Sequence, residues 1–222
     1  MYNYNNMNKY KLTFLLDPSN SWIEKYLKKF KFNLKKKFIF KILKNPKKIK
    51  NQDIVFALSY TKILPEDFLK KNKLVLIAHP SKLPRNKGFA PVQNEILKNK
   101  KKIYLSIIKA EKEVDSGPIC LLSYFKLDGT ELSDEIRKKQ GYAILKSIKK
   151  VLKKYPKLTF KKQNGKENFN KRRRPKDSEL NINKTIKEQF NHLRINDNNN
   201  FPSFFYINRN KYVIKIFKEK IK

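Results

Sequence analysis

The stretch LVLIAHPSKLPRNKGFAP, residues 74–91, carries the feature of the sequence that decides its fold. Its first part, Leu74 to Ala78, is a continuous apolar run with the length and composition of a buried β-strand. The run ends at His79, one of only two histidines in 222 residues, and a loop rich in Pro, Lys, Arg and Gly follows. Ligands in open α/β sheets bind outside the carboxyl ends of the strands. The stretch therefore predicts an α/β protein with His79 at the edge of the sheet where ligands bind.

Outward from this strand, short apolar runs alternate with helical patterns. The runs are rich in β-branched and aromatic residues, which favours strands. Predicted strands cover residues 11–16, 37–43, 53–59, 73–79 and 102–110. Predicted helices cover residues 19–30, 65–71, 90–99 and 131–154. Because strand and helix alternate and the strands are nearly continuous apolar runs, the predicted fold class is α/β, a Rossmann-like, doubly wound and mostly parallel sheet.

The last quarter of the chain has a different pattern. Residues 161–183 are polar, and a helix near 184–195 and an apparent hairpin, FPSFFYINRNKYVIKIFK, follow them. The predicted organisation is a core domain over 1–160, a linker over 161–183 and a C-terminal helix and β-hairpin over 184–222. The hairpin is rich in aromatic residues, so it is a candidate for contact with a substrate or for a homodimer contact.

Positive charge dominates the composition. Lys and Arg total 54 against 19 Asp and Glu, a formal net charge of +35, which attracts nucleic acid and other phosphates. Only seven of the 54 are Arg, however, and Lys, Asn, Ile, Phe and Tyr share adenine- and thymine-rich codons, so genome composition explains much of the excess. The lysines are also spread along the chain. The sequence therefore argues against nucleic acid as the main partner, although attraction to phosphate-bearing small molecules is compatible with it.

Several protein classes are disfavoured by the sequence. No apolar run approaches the roughly 18 residues of a membrane span, and the start, MYNYNNMNKYKLTFLLD, lacks the apolar segment of a signal peptide. The single cysteine, Cys120, excludes an internal disulfide and a cysteine-based zinc site. Its place in PICLLSYF favours a small buried hydrophobe over a nucleophile. The sequence predicts a soluble, cytoplasmic protein with no membrane partner and no metal site.

Asp115, in KEVDSGPI, follows the predicted 102–110 strand by a few residues. If that strand ran parallel to the one that ends at His79, both side chains could lie at one edge of the sheet. A carboxylate beside an imidazole fixes the tautomer and stabilises the imidazolium, so the two residues are candidates for a general base and its orienting group. A histidine at a strand end is also a common structural residue. The residues alone leave both interpretations open.

The full segment HPSKLPRNKGFAPVQNEILKNKKKIYLSIIKAEKEVDSGPI, residues 79–119, resembles the core of the folate-dependent formyltransferases. That family has a His–x–Ser–x–Leu–Pro loop, a Gly and an Ala-Pro helix start, a strand, and then Asp–x–Gly–x–Ile. NFNKRRRPKDSEL resembles the linker of the family, and FNHLRINDNNNFPSFFYINRNKYVIKI resembles its Leu/Ile-Arg segment and closing hairpin. The resemblance is closest to the nucleotide-sugar N-formyltransferases, and it implies the formyltransferase fold.

The resemblance also implies a reaction and a set of site residues. The formyl group of N10-formyltetrahydrofolate would pass to a primary amine, with His79 removing a proton and Asp115 orienting His79. The implied acceptor is a UDP- or dTDP-linked amino sugar used for surface glycan precursors. The implied folate-binding residues are Lys62, Ile63, Leu64 and Val114. The implied substrate-binding residues are Ser81, Lys82, Gly88, Arg194 and Phe204.

Two positions depart from the family pattern. Ile77 stands where the family usually has an Asn that holds the developing oxyanion, and Ile108 stands where a second His is common. Ser81, Lys82 and the backbone N–H groups near Gly88 are candidates to replace the missing donor. Three alternatives therefore stay open: the same reaction on methionyl-tRNA, a non-enzymatic RNA-binding protein, and a family member that has lost activity.

Overall fold

The structure is a computed structural model that describes residues 9–30 and 32–219. Its strands in chain order are Tyr10–Leu16 (β1), Phe38–Leu43 (β2), Ile54–Leu58 (β3), Val75–His79 (β4), Lys87–Gly88 (β5), Lys102–Lys109 (β6), Ile119–Lys126 (β7), Phe169–Asn170 (β8), Ser203–Ile207 (β9) and Asn210–Ile214 (β10). Its α-helices are Glu24–Lys29 (α1), Glu66–Lys70 (α2), Pro91–Leu97 (α3), Ser133–Lys154 (α4) and Phe190–Ile195 (α5).

Six strands form one sheet in the order β2-β1-β3-β4-β6-β7. The pairs β1–β2, β1–β3 and β3–β4 are parallel, so the predicted Rossmann-like, mostly parallel sheet is confirmed. β6 differs, because it pairs with β4 in the antiparallel direction, with Leu76 opposite Lys109 and His79 opposite Ser106. The chain therefore enters β6 at the edge where β4 ends, and β6 leaves at the opposite edge.

The central strands are buried because their apolar runs leave no polar face. All five residues of β3, IVFAL, are buried, as a strand covered on both faces requires. Phe14 of β1 stacks against Phe56 of β3 with ring centroids 6.0 Å apart, and against Phe32 at 5.5 Å. Each such buried aromatic ring contributes about 1.5–3 kcal/mol to folding. This core fixes β3 and β4, the strands that precede the candidate site residues.

Two predicted helices are shorter in the structure than in the sequence analysis. The helix predicted over 19–30 is confined to α1, and the helix predicted over 184–195 is confined to α5. The Asn181 side chain accepts the Asn183 N–H at 2.9 Å, and this local turn competes with helix formation at the start of the predicted segment. The predicted C-terminal hairpin is present as β9 and β10, with Asn208 and Arg209 in the turn at positive φ.

The chain divides into two compact units that interleave along the sequence. The first comprises the chain through His79, Ser106–Leu122 and Ile144–Asn164. The second comprises Pro80–Leu105, Ser123–Ala143 and the chain from Gly165 onward. The functional division at 1–160, 161–183 and 184–222 stays a prediction.

The structure bears on only one of the predictions about location. Across residues 9–30 and 32–219, no helix has the length and apolar character needed to cross a membrane. The first eight residues, part of the segment in which no signal peptide was predicted, lie outside the described residues.

Candidate active site

His79 is the last residue of β4, and the sheet encloses it on both sides. β3 runs beside β4 on one side and β6 on the other, where Ser106 lies directly opposite His79. The imidazole residue is only 6% exposed. β4 has the sequence VLIAH, and His79 is its only polar residue. The sequence therefore places one ionisable ring at the end of a buried strand.

Asp115 reaches His79 by a route that the sequence analysis did not foresee. β6 does not run parallel to β4, and the antiparallel pairing puts Lys109 beside Leu76, about 10 Å from His79 at ~3.3 Å per residue. The loop 110–118 turns back, and the Asp115 Oδ1 atom lies 3.3 Å from Nδ1 of His79. Asp115 is 9% exposed. The structure thus brings the imidazole and the carboxylate together in a site that is nearly closed to water.

The loop that carries Asp115 is held in an unusual backbone conformation. Asp115 has a φ of +53°, in the left-handed region that residues with a Cβ rarely adopt. Gly117 follows, and a Cβ there would lie 1.7 Å from the carbonyl oxygen of Lys109. The Lys109 N–H donates to Pro118 O at 3.0 Å, which closes the loop. The shape of the loop therefore depends on two residues. Asp115 adopts a left-handed backbone, and Gly117 has no Cβ that would collide with Lys109 O.

The segment 62–64, which is predicted to bind folate, follows β3, and hydrogen bonds from Thr61 to Asp17 hold its start. Asp17, at the end of β1 and fully buried, accepts hydrogen bonds from Thr61 N at 2.9 Å and from Thr61 Oγ1 at 2.5 Å. Ser19 also donates to Asp17 through its N–H and its hydroxyl. Burial opposes the charge on Asp17, but the hydrogen bonds from Ser19 and Thr61 outweigh it and hold the pKa of this carboxyl far below its usual range.

The four predicted folate-binding residues divide into one anchor and three exposed positions. Leu64 is buried in a cluster that also contains Ala110, at the start of the Asp115 loop. Lys62 is exposed, Ile63 is 71% exposed and Val114 is 43% exposed. The structure therefore presents two apolar side chains to solvent, one in each of the segments predicted to bind folate.

Two observations fit these segments to a flat heteroaromatic ring such as a pterin. In the part of the chain that the structure describes, the backbone groups of residues 62–64 make no hydrogen bond with other protein groups. They are thus free to pair with the polar edge of a ring, while Ile63 offers it an apolar contact. The residues present therefore fit the folate that the sequence implies.

The two departures from the family pattern are partners in the sheet. Ile77 of β4 pairs with Ile108 of β6 across the antiparallel ladder. Ile108 is fully buried, and Ile77 packs against the cluster that contains Leu64. Cross-strand neighbours interact directly, so an apolar pair has replaced two polar positions at once. Neither side chain can donate a hydrogen bond to an oxyanion.

Three of the predicted substrate-binding residues lie in the second unit, in the loop after β4. The Ser81 hydroxyl donates to Arg85 O at 2.8 Å, so its proton is committed within this loop. Lys82 is exposed, and its ammonium lies 5.4 Å from the centroid of the Tyr104 ring. Gly88 has a φ of +83°, and a Cβ there would lie 2.7 Å from Asn170 O. Which of the three candidate donors would act on the oxyanion stays a prediction.

The remaining two substrate-binding predictions need correction. Arg194 is 2% exposed, and its guanidinium donates to Asn191 Oδ1 at 2.7 Å and to Glu131 O at 3.2 Å. Its side chain serves the packing of the second unit and does not present a free cation to phosphate. Phe204 is buried in β9, and Lys211 Nζ lies 4.0 Å over its ring. That ring therefore offers no open face to a uracil or thymine base.

Sequence reasoning missed two residues of the first unit that shape the site. Asp17 contacts Thr61 across 44 positions of the chain, and Gln163 donates to Asp115 O across 48 positions. The sequence does indicate Asp17, because a polar residue that directly follows the apolar run of β1 occupies the same kind of position as His79 at the end of β4. Gln163 stands in a polar stretch and gives no such signal.

Comparison with known families identifies this arrangement. The family model described as formyl transferase matches residues 18–152, more than half of the chain. The chain belongs to the formyl transferase family. The matched range includes His79, Asp115 and the segment 62–64.

Individual formyl transferases agree with the assignment. A methionyl-tRNA formyltransferase of Fusobacterium nucleatum is 31% identical over 175 residues, which are 76% of this chain and 55% of that protein. One of Buchnera aphidicola is 33% identical over 178 residues, 77% of this chain and 55% of its own length. The chain thus spans about half the length of the curated relatives that it matches.

Solved structures share the fold at lower identity. A methionyl-tRNA formyltransferase from Clostridium thermocellum has a TM-score of 0.78 at 21% identity, over 91% of this chain and 90% of its own. A sugar N-formyltransferase from a Shewanella species has a TM-score of 0.74 at 16% identity, over 96% and 99%. HypX from Aquifex aeolicus in complex with tetrahydrofolic acid has a TM-score of 0.67 at 13% identity, over 92% and 37%. At these identities the likeness shows the formyl transferase fold.

Proposed function

We propose that this protein transfers the formyl group of N10-formyltetrahydrofolate to the amino group of a nucleotide-linked amino sugar. The observation that carries the proposal is the buried pair of His79 and Asp115, with Nδ1 and Oδ1 3.3 Å apart. Burial strengthens such a pair and keeps water from competing for the formyl group. The free backbone groups of residues 62–64 in the same unit support a folate co-substrate.

The mechanism assigns one task to each side chain of the pair. The folate, when bound, supplies an electrophilic formyl carbon. Asp115 accepts a hydrogen bond from the Nδ1–H of His79, so the lone pair of Nε2 is left to accept a proton. His79 takes the proton that the attacking amine loses as its nitrogen bonds to the formyl carbon. His79 then returns that proton to the nitrogen that leaves, so the products are a formamide and tetrahydrofolate.

The donor to the developing oxyanion is the least familiar part of this site. Ile77 cannot supply it, and loss of one such donor typically costs about 10²–10³-fold in rate. His79, once protonated, carries an N–H that can serve the oxygen as well as the leaving group. We therefore assign oxyanion stabilisation to protonated His79.

Two acceptors compete, and different comparisons favour each of them. The amino-sugar acceptor is supported by the sugar N-formyltransferase fold match, which covers 96% of this chain and 99% of that one. Methionyl-tRNA is supported by the identities of 31% and 33% to enzymes of that name. The second candidate function is therefore the same reaction on methionyl-tRNA.

One assay separates the candidates. The full chain is incubated with N10-formyltetrahydrofolate and, in separate arms, with UDP-amino sugars, dTDP-amino sugars and methionyl initiator tRNA. Formylated product is measured by mass spectrometry. A mass increase on a nucleotide sugar supports the proposal, and one on tRNA alone replaces it with the second candidate. Formylation in none of the three arms, together with RNA binding that persists in His79→Ala, would favour a non-enzymatic RNA-binding protein.

A further inference from the structure

A short β-bridge brings the segment after α4 beside the Asp115 loop. The Ile119 N–H donates to Lys161 O at 2.8 Å, and the Lys161 N–H donates to Ile119 O at 2.9 Å. This antiparallel bridge sets the register of the two segments. Because the bridge is antiparallel, Gln163, two residues after Lys161, lies opposite Gly117, two residues before Ile119. A segment predicted to be a linker is therefore docked on the loop that carries the candidate catalytic carboxylate.

Gln163 uses this position to hold two carbonyl groups of the loop. Its Nε2 donates to Asp115 O at 2.8 Å and to Gly117 O at 2.8 Å. A primary amide has two N–H groups, and both are used. The orientation of the amide is fixed, because a rotation by 180° would direct Oε1 at both carbonyl oxygens. Gln163 thus clamps the backbone on either side of Ser116.

The Oε1 atom of the Gln163 amide indicates that the side chain acts as a donor. Oε1 of Gln163 is buried, and it accepts no hydrogen bond from the residues that the structure describes. Burial of an unused acceptor costs free energy, and an apolar side chain could fill the same space without that cost. The two N–H donors therefore explain the amide at this position.

The hydrogen bonds from Gln163 stabilise the backbone at Asp115. Asp115 has a left-handed backbone with a φ of +53°, a conformation that persists only when the surroundings enforce it. Its carbonyl is held by Gln163 and its carboxylate lies 3.3 Å from His79. We propose that Gln163 is a positioning residue, which holds the Asp115 loop so that the carboxylate meets His79. This inference rests on the proposed function.

The first test replaces the donors and leaves the size of the side chain unchanged. Gln163→Glu puts a carboxylate against two carbonyl oxygens and displaces the loop. We expect kcat for formyl transfer to fall by about 10²-fold, since a shift of roughly 1 Å in a catalytic group has that effect, while the KM for folate changes little. Gln163→Lys restores donors to both carbonyls and should recover kcat to within about tenfold of the wild type. Gln163→Met, which repels neither carbonyl, should give an intermediate loss.

A second measurement reads the contact itself. The chain has only two histidines, so a ¹⁵N-histidine NMR spectrum separates His79 from His192. The Nδ1 proton of His79 should give a low-field resonance in the wild type and in Gln163→Lys, and that resonance should shift or vanish in Gln163→Glu and Gln163→Met. His192, whose Nε2 lies 2.7 Å from Asp177 O in the other unit, should not change.

Asn164→Asp provides the matched control, because it makes the same change of charge at the exposed neighbouring residue. It should leave both kcat and the His79 resonance at wild-type values. A Gln163→Glu or Gln163→Met protein that keeps its kcat and its His79 resonance overturns the inference. A folded wild type that formylates no acceptor overturns the proposed function instead, and the His79 resonance then decides the positioning role by itself.

Discussion

At the scale of single residues, the proposed reaction depends on the tautomer of one imidazole. The Asp115 carboxylate lies 3.3 Å from Nδ1 of His79, and in the proposed mechanism it selects the tautomer that leaves Nε2 able to accept a proton. Both side chains are nearly inaccessible to water. Their interaction is therefore less screened than that of a surface pair, and a change in either residue should affect the chemical step more than binding.

Asp115→Asn tests this dependence with almost no change of shape. The amide can present an N–H to Nδ1 and so favour the wrong tautomer, for which the expected loss of kcat is about 10²–10⁴-fold. His79→Asn should abolish detectable turnover. The matched control is His192→Asn, which removes the other histidine of the chain and should leave kcat unchanged. Steady-state kinetics with the acceptor that the formylation assay selects provides the measurement, and a fully active Asp115→Asn would contradict the assigned roles.

Asp17 gives a prediction about pH and stability. Burial raises the pKa of this carboxyl, but hydrogen bonds from Ser19 and Thr61 lower it more, so the native pKa lies below that of the unfolded chain. The stabilisation is therefore present above roughly pH 4, the ordinary value, and is lost as the pH falls through the native pKa. Asp17→Asn should lower the free energy of unfolding by about 1–3 kcal/mol at pH 7.

Urea unfolding of wild type and Asp17→Asn at pH 7, 5, 4 and 3 measures this difference. The gap between the two proteins should narrow as the pH falls below roughly 4. Ser116→Ala, which removes an exposed hydroxyl bond to Glu113 O, serves as a control with a small, pH-independent effect. A gap that stays constant from pH 7 to 3 would show that the charge of Asp17 does not contribute.

At the scale of elements, the Asp115 loop is shaped by steric contact as well as by hydrogen bonds. Gly117→Ala would place a Cβ 1.7 Å from Lys109 O and 2.9 Å from Lys109 C, both backbone atoms that cannot move alone. We expect the loop to shift, with a loss of about 1–3 kcal/mol in stability and a fall in kcat as Asp115 leaves His79. Thermal unfolding and steady-state kinetics measure the two effects. Ser116→Ala, at the next position, should retain activity.

The elements also show how far the sequence predicts this fold. The strands that became β1, β3 and β4 were predicted because each is a nearly continuous apolar run, and the structure buries them. The direction of β6 was not predictable, because residues alternate between faces with the same period in either direction. Asp115 was a correct candidate neighbour of His79 for a wrong topological reason. Gln163 was missed because its partners are 46 and 48 positions away.

At the scale of the whole molecule, the dominant property is the excess of positive charge. With 54 basic and 19 acidic residues, most lysines have no acidic residue with which to pair. Several of the acidic groups are already shared, as Glu24 is between Lys28 and Lys44. The resulting field attracts any polyanion, whether or not the protein acts on it. RNA binding alone is therefore weak support for methionyl-tRNA as the acceptor.

The dependence on salt concentration separates nonspecific binding of RNA from formyl transfer. A protein that neutralises 6–10 phosphates of RNA loses about 10³–10⁵-fold in affinity between roughly 50 and 200 mM salt, whereas a nucleotide sugar carries only two phosphates and releases few ions. We expect RNA binding to fall steeply over this range and to be the same in His79→Asn. Over the same range, kcat/KM for the nucleotide sugar should change by less than about tenfold, and excess bulk tRNA should not abolish it. If formyl transfer instead followed the steep salt dependence of RNA binding, the charge of the molecule would be part of its substrate recognition, and methionyl-tRNA would become the better acceptor.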